Sequence, residues 1–139
     1  RTWPVSDFYI IDTHTLLWYL DNSKRLGTIA GEILNDRNAK FWLPAIALAE
    51  ALFILEKGRG QYALSERRLL ASVRADSRIR AVALGQRILD LTLHCKTIDE
   101  MHDRQIVATA LLIQNRGFDV AILTRDGNIT QSGLVPCVW

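Results

Sequence analysis

The sequence predicts an α/β fold built on a mainly parallel central sheet. Phe8-Tyr9-Ile10-Ile11 and Val120-Ala121-Ile122-Leu123 are apolar, β-prone runs without alternation, the pattern of strands buried on both faces. Each runs directly into polar residues. Helix-periodic segments separate the strand candidates, and strand, crossover helix, strand is the order that joins parallel neighbours.

Taken in order, the first strand ends at Asp12-Thr13-His14 and is followed by a helix over residues 15–20. Asp12 reads either as the N-cap of that helix or as a ligand group, because ligands of open α/β sheets bind at the carboxyl ends of the strands. Residues 21–27 have turn composition, and Thr28 caps a short helix reaching Leu34. Lys40-Phe41-Trp42-Leu43 forms a second strand, closed by Pro44, which suits the first turn of a helix. The helix over 45–57 is apolar nearly all round and is expected to be mostly buried. Glu50 interrupts it on a stripe with Ile46, Phe53 and Ile54. A carboxylate there needs a cation or hydrogen bonds, so Glu50 is either salt-bridged to an arginine or a metal ligand or general base.

Gly58 and Gly60 end that helix, and residues 61–75 predict an amphipathic, basic one. Residues 79–84 alternate enough for a third strand, and Gly85 leads into a helix over 86–93. In the helix that follows, the positions three, four, seven and eight beyond Asp103 are Ile106, Val107, Ala110 and Leu111, so Asp103 heads its buried stripe. Asp99 is read as the N-cap and Glu100 as a first-turn acid complementing the helix dipole. That dipole also gives Asp103 a purely structural reading. After the strand 119–123 come Thr124, Arg125 and Asp126, with Gly127-Asn128 read as a turn; Val135-Pro136-Cys137-Val138-Trp139 is a short last strand, placed at an edge by Pro136.

A chain of 139 residues, 49% of them hydrophobic, suits one domain with a substantial core. It shows no apolar run of the ~18 residues a membrane span needs and no signal-peptide pattern, so no membrane partner and a cytoplasmic location are expected. Cys95 and Cys137 have no metal-like spacing and read as small core residues. The chain opens at Arg1, and residues 1–7 carry no functional weight. The net charge of +2 decides nothing by itself. Between Glu56 and Arg87, however, eight bases (Lys57, Arg59, Arg67, Arg68, Arg74, Arg78, Arg80, Arg87) face three acids, which suits either a polyanion or a solvated helix surface.

If the first and last long strands are parallel, Thr124 and Asp126 emerge at the same sheet edge as Asp12, and Glu50 and Asp103 join them from helices. Clustered carboxylates repel, and each must be protonated or acquire a cation. A hard, oxygen-liganded ion such as Mg²⁺ or Mn²⁺ answers that better than four separate salt bridges, and it equips a site for phosphodiester hydrolysis. Arg104 and Arg125 adjoin site acids and suit contact with phosphate. His14 and His102 read as packing or helix-start residues, with a catalytic part as the minor alternative.

Ile10-Ile11-Asp12-Thr13, Ala49-Glu50 in an apolar helix, residues 102–110 (HDRQIVATA) and Leu123-Thr124-Arg125-Asp126 together resemble the PIN-domain nucleases, and look most like the toxin ribonucleases of the VapC type. The resemblance implies a three-layer α/β/α sandwich with a parallel central sheet, residues 1–8 being an extension and 9–139 a single nuclease domain. It implies Mg²⁺- or Mn²⁺-dependent endoribonuclease activity, a homodimer, and inhibition by a small antitoxin covering the acidic pocket. It maps Asp12, Glu50, Asp103 and Asp126 as metal-site acids, with Thr13, Thr124, Arg104 and Arg125 as supporting or RNA-contacting residues. Glu100 stands where many similar proteins have Asp, and Asp99 offers a further acid beside it. The alternatives are an inactive PIN-like interaction module, a DNA-directed nuclease, and a phosphorylatable receiver domain. The receiver lacks support in an acidic pair before the first strand and in a late strand-terminal Lys.

Overall fold

Four four-residue strands, a two-residue last strand and the helices between them build the chain. The computed structural model describes residues 3–58 and 60–139; residues 1 and 2 of the expected extension, and Arg59 of the basic third, lie outside the described residues. In chain order the elements are β1 (Phe8–Ile11), α1 (Thr13–Leu20), α2 (Thr28–Leu34), β2 (Phe41–Pro44), α3 (Ala45–Lys57), α4 (Glu66–Ala75), β3 (Ile79–Val82) and α5 (Gln86–Leu91). A 3₁₀ turn (Thr92–His94), α6 (Met101–Asn115), β4 (Val120–Leu123), α7 (Gly127–Ser132) and β5 (Cys137–Val138) complete it. All strand pairs are parallel, and the sheet order is β3-β2-β1-β4-β5. Helices flank this sheet as expected of a three-layer α/β/α sandwich. A receiver domain needs the order 2-1-3-4-5, so that alternative is set aside.

β1 lies at the centre, in register with β4 from Phe8 opposite Val120 to Ile11 opposite Leu123. The chain winds outward from β1 through β2 and β3, then returns to add β4 on the other side. The carboxyl ends of β1 and β4 therefore bound the switch-point crevice, where open α/β sheets bind ligands. The core that fixes this register is dense. Ile10, Ile11, Leu43, Ile122 and Leu123 are wholly buried, each contributing about 1.5–3 kcal/mol of transfer free energy. α6 lays Ile106, Val107 and Ala110 against β1, β2 and β4. The Asp76–Arg78 pair ties β3 to the α2–β2 connection: the guanidinium grips both Asp76 oxygens at 3.0 and 2.8 Å and donates to the carbonyls of Leu34 and Asp36.

Several expectations are corrected. α3 is not mostly buried: only Ala47 and Ala51 are fully covered, and Phe53 is 61% exposed, because a helix apolar all round still turns only one face to the core. The helix expected over 61–75 starts at Glu66, where the Ser65 hydroxyl caps the amide of Arg68. The N-cap of α6 is Glu100, whose Oε2 accepts from the Asp103 amide at 2.9 Å, and Asp99 is exposed. Gly127 and Asn128 open α7 rather than a turn, because Asp126 caps the helix. Phe8 belongs to β1, Trp3 packs on the core, and Asp7 Oδ2 accepts from the Asp119 amide at 2.8 Å, so residues of the expected extension take part in the fold. Cys95 is buried as expected, whereas Cys137 is only half-buried; both are free.

Candidate active site

Asp12 leaves β1 at the switch point, where it caps α1 and lines the crevice. Its Oδ1 accepts from the Thr13 amide at 2.7 Å, and its Oδ2 from the Thr124 hydroxyl at 2.6 Å. Thr124 leaves the neighbouring strand β4, and its hydroxyl also accepts the Asp126 amide at 3.0 Å. One buried hydroxyl thus ties together the two acids that end β1 and β4. Asp126 turns its Oδ1 to the amides of Asn128 and Ile129 at 2.8 and 3.3 Å. Thr13 links Asp12 to α3, its hydroxyl donating to Glu50 Oε1 at 3.4 Å.

The charges in this crevice press on one another. Burial, against the bonds from Thr124 and Thr13, raises the Asp12 pKa, and Asp126 pushes it further. Burial also lifts Asp103 from 3.8 to about 7, with Asp126, Glu100 and Asp12 adding to the effect and the Asn128 side chain opposing it. Glu50 is raised by burial and by Glu100 and Asp12, with His102 opposing. Burial works against Glu100 too, but the amides of His102 and Asp103 and the His102 ring at 2.7 Å outweigh it and hold its pKa low. Among the described residues none of Asp12, Glu50, Asp103 and Asp126 forms an ion pair.

The donor set is all carboxylate oxygen, the preference of a hard divalent cation. Among the described residues no three His, Cys, Asp or Glu side chains stand close enough to enclose a metal. A Mg²⁺ ion needs only one or two protein carboxylates, with waters and substrate phosphate in the remaining positions. The residues fit such an ion as partial ligands, not as a closed cage.

The arginines divide. Arg104 donates to the carbonyl oxygens of Ile98 and Lys96, so it secures the loop before α6. Arg125 is exposed and holds its guanidinium 5.4 Å over the Trp18 ring beside Asp12 and Asp126. In the basic third, Arg78 is committed to Asp76 and Arg80 lies over Trp42. Sequence reasoning missed Trp18 and Trp139 as walls of the crevice. The signal for Trp18 was its helical i, i+4 spacing from His14, whose ring lies 5.4 Å away.

A parallel 3-2-1-4-5 sheet with carboxylates gathered at its switch point defines an α/β protein with an acidic crevice there. The PIN domain family model matches residues 9–131, and the chain belongs to this family of nucleases. No curated protein matches it. Among solved structures, VapBC2 from Rickettsia felis, bound to a DNA fragment from their promoter, is similar with a TM-score of 0.65 at 14% identity, over 94% of this chain and 97% of that one. FitAB bound to an IR36 DNA fragment gives 0.62 at 16%, over 94% and 93%. FitAcB from Neisseria gonorrhoeae gives 0.57 at 16%, over 94% and 96%. At these identities the likeness is one of fold. No helix of the described residues is long and apolar enough to cross a membrane.

Proposed function

We propose that the chain is a metal-dependent endoribonuclease and the toxin of a toxin–antitoxin pair, working as a homodimer restrained by an antitoxin protein. The observation that carries the nuclease reading is the gathering of acids at one sheet edge: beyond the effect of burial, Asp126 raises the pKa of Asp12 and of Asp103 and Asp12 adds to that of Asp103, and among the described residues none of the three forms an ion pair. The toxin reading is supported by the VapC-like motifs and by a fold shared with VapBC2 and FitAB. Asp12, Glu50, Asp103 and Asp126 are the residues that would hold Mg²⁺ or Mn²⁺.

A divalent ion at these acids supplies Lewis-acid stabilisation of the scissile phosphate and a lowered pKa for attacking water. The chain supplies position and proton balance. The Thr13 amide and the Thr124 hydroxyl each hold one oxygen of Asp12, which fixes the orientation of its carboxylate. Burial, with Asp126, Glu100 and Asp12 beside it, favours the protonated form of Asp103. Arg125 stands at the rim, where it meets the RNA strand.

Cleavage of a mixed structured RNA, with a DNA control, is measured in Mg²⁺, in Mn²⁺ and in chelator, for the wild type and for Asp12→Asn. Metal-dependent RNA cutting that is lost in a folded Asp12→Asn protein is the expected result. An Asp12→Asn variant as active as wild type overturns the site assignment, and a wild type that cuts no RNA overturns the nuclease reading. Co-expression with a candidate antitoxin tests the toxin reading, since cell growth is restored only by a protein that binds the chain.

A further inference from the structure

Beside the acids lies a cavity of about 210 Å³ whose lining includes Asp12, His14, Trp18, Arg125, Asp126 and Trp139. Its rings form one cluster: Trp18 is 5.4 Å from His14 and 5.8 Å, edge-on, from Trp139. Backbone holds the far wall in place. The Trp139 carbonyl accepts from the amides of Ile29 and Ala30 at 3.0 and 3.2 Å, and a Cβ on Gly27 would stand 2.6 Å from the Trp139 indole. Trp18 is buried, His14 and Arg125 are exposed, and Trp139 is half-exposed, so a buried indole floors the cavity and three reachable groups rim it.

The placing of Arg125 is informative. It shares the cavity with two acids, yet among the described residues it forms an ion pair with neither and lies on the face of Trp18 instead. A guanidinium so held keeps its plane available for stacking and its N–H donors for an acceptor edge. Carboxylates in the same wall repel a bare phosphate but not a neutral heterocycle. Aromatic rings and a guanidinium plane are the surfaces on which unstacked bases of single-stranded RNA rest.

We infer that this cavity is a nucleobase subsite: an unpaired base next to the scissile phosphodiester leaves its stack and lies against His14, Trp139 and the guanidinium of Arg125. This rests on the nuclease reading.

The test is equilibrium binding to the whole chain in chelator, read by tryptophan fluorescence. The two probes are a short single-stranded RNA and a strand of equal length made of abasic nucleotides. Expected is at least about 5-fold tighter binding of the strand that carries bases, with a change in emission, since one stacked base contributes at least that much. Arg125→Ala and His14→Ala are each expected to diminish this preference. Equal affinity for the two strands, including no binding of either, overturns the subsite, as does a preference unchanged in both variants. The two readings fail separately: base-dependent binding without metal-dependent cutting sinks the nuclease and leaves the subsite, and cutting without a base preference does the reverse.

Discussion

Asp103→Asn isolates the electrostatic strain of the acidic crevice. The wild-type carboxyl has its pKa raised from 3.8 to about 7 by folding. Between those values the native state holds a proton that the unfolded chain has released, so stability falls as pH rises and levels off above about 7. From about pH 5 to about pH 7 the loss is at most roughly 1.36 kcal/mol per pH unit, an upper bound of about 2–3 kcal/mol that solvent screening of this partly solvated carboxyl and proton uptake by neighbouring acids both reduce. For a chain of this length that is a shift in Tm of up to about 9 °C. The near-isosteric amide cannot ionise. Thermal melting in chelator at about pH 5 and about pH 8.5 should therefore show the advantage of Asp103→Asn over wild type growing by several degrees. Mg²⁺ should shrink that gap by stabilising the wild type at the higher pH. A gap that is the same at both pH values refutes the account of Asp103 as a strained acid.

Thr124→Val removes the donor to Asp12 and the acceptor of the Asp126 amide together, and should cost about 1–3 kcal/mol in denaturant melts while weakening Mg²⁺ binding by calorimetry. Arg78→Met breaks the pair with Asp76, whose pKa is held low by the guanidinium's hydrogen bonds. The lost stability, about 1–3 kcal/mol, should appear above about pH 4 and fade as acid protonates Asp76, with RNA cleavage per folded molecule unchanged. Gly27→Ala drives a Cβ into Trp139 and should lower stability by about 1–3 kcal/mol while altering tryptophan emission; a silent substitution would show that the Trp139 wall yields easily.

The sheet edge was legible because its signal is local: apolar runs in β1 and β4 break abruptly at Asp12 and Thr124, and parallel pairing brings those breaks together. Burial of α3 was not, since a helix apolar on every side does not say which side meets the core. Neighbouring acids equally competent as caps hid the choice between Asp99 and Glu100. The aim of Arg104 depends on where the preceding loop turns its carbonyls, which no spacing within α6 reports. Trp18 reads as core in its own helix; only Trp139, from the far end of the chain, turns it into the floor of a cavity.

The hydrogen bond from Thr124 to Asp12 joins residues 112 positions apart. Pairing β1 with β4 closes a loop that contains two other strands, β2 and β3, and such non-local parallel contacts form late. Until they form, Asp12 and Asp126 belong to separate pieces of chain with ordinary, well-solvated carboxylates. A growing or half-folded chain therefore carries every acid of the site and none of its geometry, so nuclease activity, as proposed, would arrive only with the completed sheet.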